Sequence, residues 1–245
     1  GTLWINVDKR DWSDEMLKAC HLTREHMPDI FEGTEITGAL LGSVAETWGI
    51  PAGTPVVAGG GDNAAGAVGM GVFYQGDAFL SLGTSGVLFA ADDAYRPNPE
   101  SGVHTFCHAL PSRWHQMSVM LSAASCLDWA SRFSGVGDVA QLVAAAENHR
   151  EIGTSNTIFL PYLSGERTPH NDPRAKGVLF GLSHESDAGE LGQAVLEGVA
   201  LGFADGLDVL ASSSDIASIS VIGGGARSQY WGRILAAALN RPLLY

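Results

Sequence analysis

Hydrophobic and polar positions change their texture several times along this chain, and each change marks an element. Residues 1 to 50 are polar with helix-like spacing: in "RDWSDEMLKACHL", Ser13 offers a cap ahead of apolar Met16, Leu17 and Cys20, so this part is predicted to be mostly helical. "TPVVAGGGD" is a short β-branched run that ends in glycines, and "NAAGAVGMGV" is a small-residue run that can form a helix lying close to a neighbour. That order reads as strand, tight turn, helix. From Asp77 the pattern turns β-rich: "DAFLSLG", the turn "GTSG" and "VLFAA" predict a hairpin, with "WHQMSVM" a further strand. "SAASCLDWASRF" then sets Ala124, Leu127, Ala130 and Phe133 at helical spacing. Residues 134 to 186 read as irregular, and "FLPYLSGERTPHNDPRAKG" within them as a polar, proline-punctuated loop. "ELGQAVLEGVALGFADGLDVL" predicts a long amphipathic helix, "SISVIGGG" a strand into glycines, "SQYWGRILAAAL" a helix and "PLLY" a last strand.

Three antiparallel strands followed by alternating helices and strands predict an α/β fold: a mixed sheet covered by helices. The chain stops at Tyr245 on a strand that needs a successor and begins at Gly1 rather than Met, so it reads as a piece of something longer.

Composition narrows the partners. Net charge is −13, which argues against a basic groove for nucleic acid or attraction to anionic lipid. No apolar run approaches the roughly 20 residues of a membrane span. Any anionic ligand must therefore be held locally, by backbone amides, a few cations or a metal ion. Cys20, Cys107 and Cys126 are odd in number and widely spaced, which predicts reduced thiols in a cytoplasm. Glycine numbers 31, well above its usual share of about 7%, and much of it sits at strand-to-helix junctions.

Three of those junctions carry candidate chemistry. In "GGGDNAAG", Asp62 stands beside a helix N-terminus, where it can accept a proton from a substrate hydroxyl or hold a metal through water. The simpler reading is that Asp62 caps the helix. In "SLGTSG", Gly83, Thr84, Ser85 and Gly86 form either a nest of amides and hydroxyls for phosphate oxygens or a plain hairpin turn. In "VIGGGARSQYWG", Gly223 to Gly225 lead into a helix whose start can lie against a nucleotide. Neither the dinucleotide fingerprint nor the G-x-x-x-x-G-K-[ST] phosphate loop occurs, so any nucleotide is gripped by a different fold. Other clusters are weaker. In "HTFCH", strand alternation parts Cys107 from His104 and His108, which argues against zinc. In "GERTPH", an ion pair among Glu166, Arg167 and His170 that pins the loop is favoured over catalysis. Cys126 sits on an apolar helix and reads as core, and no G-x-S-x-G elbow is present.

Taken together, three glycine turns in this order, with an acid in the first, resemble the sugar kinases of the FGGY carbohydrate kinase family. The most specific stretch is "GVLFGLSHESDAGELGQAVLE", Gly177 to Glu197, which fits the family's second signature at Gly181, Leu182, Glu190, Leu191, Ala194, Val195, Leu196 and Glu197. The likeness covers the whole chain and maps it to the interior of a protein about twice as long. It implies two domains of ribonuclease H-like, actin/hexokinase-type ATPase fold. Residues 1–72 would be the tail of the first, sugar-binding domain, and residues 73–245 most of the second, nucleotide-binding one, truncated at its end. The implied reaction is transfer of the ATP γ-phosphoryl group to a ketopentose, D-xylulose giving D-xylulose 5-phosphate. Ribulose, gluconate or glycerol are the alternatives within the family.

By the same resemblance Asp62 matches the catalytic base and Asn63 a neighbour that contacts the sugar. Gly83, Thr84 and Ser85 match the loop that receives the β- and γ-phosphates. Gly224, Gly225, Ala226 and Gln229 match the turn bordering the adenosine, and Ala124 and Asp128 line the nucleotide cleft. Mg2+ accompanies ATP, with no protein ligand for it assigned in this chain. The expected partners are a small-molecule sugar and MgATP; the resemblance allows a homodimer. A chain lacking the first phosphate loop is expected to be inactive by itself. From another class, the contrasting reading is a non-catalytic actin-fold module that binds nucleotide.

Overall fold

Ser13 caps the first helix as its position predicts, its Oγ accepting from the Met16 amide at 3.3 Å. The computed structural model describes residues 3–149, 151–211 and 215–245. The segment before residue 50 is less helical than its spacing predicts. It holds strands β1 (Ile5–Asn6) and β2 (Asp11–Trp12), helix α1 (Asp14–Ala19), a 3-10 turn at Arg24–His26, strand β3 (Ile36–Ala39) and helix α2 (Gly42–Trp48). The reason is local. Of the apolar positions of α1 only Leu17 is buried, while Met16 is half-buried and Cys20 exposed, so no continuous stripe extends the helix. Arg24 then ties the chain back by ion pairs to Asp11 and Asp14.

Strand β4 (Pro55–Val57) pairs antiparallel with β3. After the glycine turn comes helix α3 (Asp62–Gly69), which buries Ala64 and Ala67. The strand, turn and helix order read from the sequence holds.

The main sheet gathers the rest. Strands β5 (Ala78–Leu82), β6 (Gly86–Asp92), β7 (His104–Cys107) and β8 (Trp114–Met120) are followed by helices α4 (Ser125–Ser134) and α5 (Val139–Glu147). Then come the hairpin strands β9 (Ile158–Leu160) and β10 (Val178–Phe180), helix α6 (Ala188–Asp208), strand β11 (Ile219–Ile222), helix α7 (Gln229–Leu239) and strand β12 (Leu243–Leu244). Sheet order is β12-β11-β5-β6-β8-β7. Neighbours from β5 to β7 run antiparallel, while β11 lies parallel to both β5 and β12.

Strand alternation divides the sheet into two packed faces. Leu80, Leu82, Leu88, Ala90 and Met120 join the core built with α4, α6 and α7. Phe79, Phe89, Ala91 and Met117 face the other way, onto Ala67 of α3 and Val72. The sheet is thereby held between helices of its own layer and the helix that carries Asp62.

Predicted elements differ in three places, the first being the β9–β10 hairpin, whose strands fall in the stretch read as irregular. Residues 139–147, read as irregular, form α5: Asp138 Oδ1 accepts from the Gln141 amide at 2.8 Å, and Leu142 and Ala146 are buried. Helix α6 is not amphipathic over its first half; every residue from Gly189 to Leu196 is buried, because the helix runs through the centre of the layer against α4, α5, α7 and β9. Small residues make that closeness possible. A Cβ at Gly198 would collide with the Phe159 carbonyl oxygen of β9.

On the α3 side, His115 stacks on Phe89 with ring centroids 4.3 Å apart, and Phe89 stacks on Phe79 at 4.9 Å. Burial, with smaller contributions from His108 and His104, pushes the His115 pKa down to about 3. An unfolded histidine titrates near 6.5. Between these values the unfolded chain binds the extra proton, so this group's contribution to stability falls as pH drops from about 6.5 towards about 3. His115→Phe is expected to flatten that limb: in urea unfolding, the loss between pH 7 and pH 4.5 shrinks by about 2 kcal/mol relative to the parent. Equal losses in both proteins would show that His115 does not set the acid limb.

Candidate active site

Asp62 is not the cap of its helix. Gly61 takes the cap position with φ −62° and ψ 158°, and Asp62 is the first helical residue. Among the described residues its exposed carboxylate has one hydrogen-bond contact, the Asn63 side-chain amide donating at 3.5 Å. The capping reading therefore fails, and the acid is left facing a cavity of about 390 Å³ between α3 and the β6–β8–β7 face. Asn63, Val87, His104, Val119 and Arg167 share its walls.

The second and third glycine turns converge elsewhere. Gly83, Thr84, Gly224 and Gly225 line one cavity of about 720 Å³, together with Ala124 and Asp128 of the α4 segment. The turn is braced from behind. Ala124 N donates to Gly83 O at 2.9 Å, while Ala123 N and the Ser125 hydroxyl donate to Thr84 O at 3.0 and 2.8 Å. Among the described residues, the hydroxyls of Thr84 and Ser85 have no hydrogen-bond partner and both residues are exposed. Gly225 is required by contact, since an added Cβ would lie 2.6 Å from the ring of Trp231. That ring is itself fixed by Nε1 donating to Leu196 O at 3.2 Å.

Ser85, Ala226 and Gln229 adjoin this cavity in sequence without lining it. Gln229 is the exposed first residue of α7, and Ala226 packs towards the core. Sequence reasoning missed the opposite wall, made by Val139, Ala140, Val143 and Ala144 of α5, because that helix was not recognised. Its signal was present: an Asp cap followed by apolar residues at positions 139, 142, 143 and 146.

The "GERTPH" loop is held differently from its predicted ion pair. Among the described residues no ion pair links Glu166 to Arg167 or His170. Glu166 is buried, and its Oε1 accepts from the Leu121 amide at 2.9 Å and from the Arg167 amide at 2.7 Å. Burial pushes its carboxyl up from the usual range. Thr168 completes the clamp, its hydroxyl donating to Gly102 O and accepting from Val119 N, both at 3.1 Å. The nitrogen of His170 meets the Tyr162 hydroxyl at 2.8 Å. Main-chain bonds, rather than opposite charges, fix this loop.

A family model described as the FGGY family of carbohydrate kinases, C-terminal domain, matches residues 78–245, and the N-terminal domain model of the same family matches residues 1–69. The chain belongs to the FGGY family of carbohydrate kinases. This FGGY chain is 58% identical over 246 aligned residues to the xylulose kinase of Escherichia coli (strain K12), covering 100% of itself and 50% of that relative. It is 56% identical to the xylulose kinase of Klebsiella pneumoniae with the same coverage. Among solved structures, a "xyloylose kinase" from Brucella ovis superposes with a TM-score of 0.93 at 49% identity, over 98% of this chain and 49% of that one. A gluconate kinase from Lactobacillus acidophilus, at 23% identity and a TM-score of 0.86 over 98% of this chain and 49% of its own, shows the shared fold. The FGGY chain thus spans about half the length of the curated relatives it matches. Its mixed sheet and helical layer have the actin/hexokinase-type ATPase fold of those neighbours. No helix among the described residues is long and apolar enough to cross a membrane.

Proposed function

We propose that this chain supplies the acid, the phosphate turn and the nucleotide wall of an ATP-dependent sugar kinase acting on a ketopentose, D-xylulose giving D-xylulose 5-phosphate. One observation carries the reading: the Asp62 cavity and the cavity lined by Thr84, Gly224 and Gly225 are both walled by the strand-and-turn segment 82–87. Asp62 accepts the proton of the sugar hydroxyl and orients that oxygen in line, and Asn63 contacts the sugar. Phosphoryl transfer passes through a loose transition state, so orientation is the larger share of the work. Gly83, Thr84 and Ser85 receive the β- and γ-phosphates, with the two unpartnered hydroxyls as donors. Gly224, Gly225, Ala226 and Gln229 border the adenosine, whose base fits among Leu127, Val139, Val143 and Trp231. Identity of 58% with the Escherichia coli xylulose kinase over the whole chain supports D-xylulose as the sugar.

Among the described residues no group of three or more metal-ligating side chains forms. In this reading Mg2+ is carried on the nucleotide's phosphates and waters. When bound there, the ion neutralises charge developing on the phosphates. In this reading residues 1–72 belong to the sugar-binding domain and residues 73–245 to the nucleotide-binding one, in keeping with the family matches and with the exposed apolar side chains Ile36, Trp48, Val56 and Val57. Three free cysteines accord with a reducing cytoplasm. The test is ADP release with MgATP from the full-length protein across a panel of ketoses and polyols. D-xylulose is expected to be preferred. Turnover of another sugar would move the substrate, and no sugar-dependent turnover would favour a nucleotide-binding module without catalysis.

A further inference from the structure

Arg167 lies half-buried on the wall of the Asp62 cavity. Among the described residues its guanidinium joins no ion pair and no hydrogen bond. Five donors in a planar fork, partly withdrawn from water and left without an acceptor, match a carboxylate or phosphate group. The side chain's base is immobilised on both sides. Glu166 before it holds the Leu121 amide, and Thr168 after it holds Val119 and Gly102.

The placement of this clamp is informative. Strand β7 covers the β8 edge only as far as the His104–Met117 pair, and beyond it Thr168 takes over, its amide donating to Val119 O at 3.1 Å. Val119 is the register partner of Val87, the residue that follows the Gly83–Gly86 turn. The loop thus fixes Arg167 at the end of the sheet that carries the phosphate turn, in the cavity that holds the acid. Burial, then the nearby guanidinium, lowers the pKa of His104 on the same wall, and His115 is lowered further. Near neutral pH both rings are uncharged, which leaves Asp62 and Arg167 as the charged side chains facing that space.

We propose that Arg167 is the anion site of this cavity, binding the phosphoryl group as it reaches the sugar and the phosphate monoester that results. The inference rests on the sugar-kinase reading. In that reaction the bond from the sugar oxygen to the γ-phosphorus forms, the bond from that phosphorus to the bridging oxygen of ADP breaks, and the hydroxyl proton passes to Asp62. A neutral hydroxyl is replaced by a dianionic phosphate at the same oxygen. A guanidinium there distinguishes product from substrate.

The test uses the full-length protein with Arg167→Gln and Arg167→Lys, binding of D-xylulose and of D-xylulose 5-phosphate measured separately by calorimetry, and steady-state turnover. For Arg167→Gln, affinity for the sugar phosphate and kcat are each expected to fall roughly 10- to 100-fold, with D-xylulose affinity and the KM for ATP unchanged. Arg167→Lys, which keeps the charge and loses the fork, is expected to recover part of both. Equal weakening of sugar and sugar phosphate, or no weakening of either in a variant with the parent's unfolding midpoint, would overturn the inference while leaving the kinase reading intact. A parent protein that turns over no sugar overturns both. Should Arg167→Gln not fold, Arg167→Lys with unaltered sugar-phosphate affinity and kcat overturns it as well.

Discussion

Asp62→Asn in the full-length protein is expected to lower sugar-dependent ADP release on the order of 10²- to 10⁴-fold, the range typical for losing a positioned general base. The substitution is isosteric; it removes the negative charge together with the capacity to accept the hydroxyl proton. The fold has little stake in the carboxylate: Gly61 provides the helix cap, Asp62 is exposed, and among the described residues its carboxylate accepts one hydrogen bond, at 3.5 Å from Asn63. Thermal midpoint and nucleotide affinity should therefore match the parent, the nucleotide cavity being walled by other residues. A loss confined to kcat would place Asp62 at the reacting hydroxyl. Turnover within tenfold of the parent would move the base elsewhere, and a lowered midpoint with proportionate loss of ADP binding would return Asp62 to a structural role.

Much of the second half of the chain was legible because its elements obey a single period. In β5 and β6 apolar residues dominate and almost every position is buried, as strands covered on both faces require, and a glycine turn joins them; β8 is buried as deeply but carries the polar His115, Gln116 and Ser118. The misreadings have physical causes. Helix α6 lies between other helices, so burial all round replaced the one-sided stripe that amphipathicity assumes. Helix α5 is alanine-rich, and its burial of only Leu142 and Ala146 gave a faint signal beside the longer irregular loop. Before residue 50, helix-like spacing met too little core to be realised: α1 buries Leu17 and α2 buries Ala45. The site followed the same rule. Turns marked by glycine were located, whereas the α5 wall, made of side chains with no chemistry of their own, was not. Arg167 was noticed in sequence and paired with the wrong partner, since a Glu-Arg neighbour pair gives no hint that the backbone amides of Leu121 and Arg167 would claim the Glu166 carboxylate.

That unrecognised wall supplies the second large effect. Ala140 and Ala144 are one helical turn apart on α5, at least partly exposed, and both line the cavity of about 720 Å³ opposite Gly224 and Gly225. Replacing either by Trp puts an indole into the space proposed for the adenine ring, while a helical position outside the core keeps the cost to folding within about 0.5 kcal/mol. Loss of the apolar contacts that a buried base would make, about 2–3 kcal/mol, corresponds to a rise in the KM for ATP on the order of 100-fold. D-xylulose affinity should be unaffected, because Asp62 and Asn63 face the other cavity. The two substitutions thus separate the halves of the site: Ala140→Trp or Ala144→Trp blocks the nucleotide and spares the sugar, whereas Asp62→Asn spares the nucleotide and stops the transfer. An unchanged KM for ATP in both Trp variants would mean that the base binds away from α5, and that Gly224 and Gly225 border something other than adenosine.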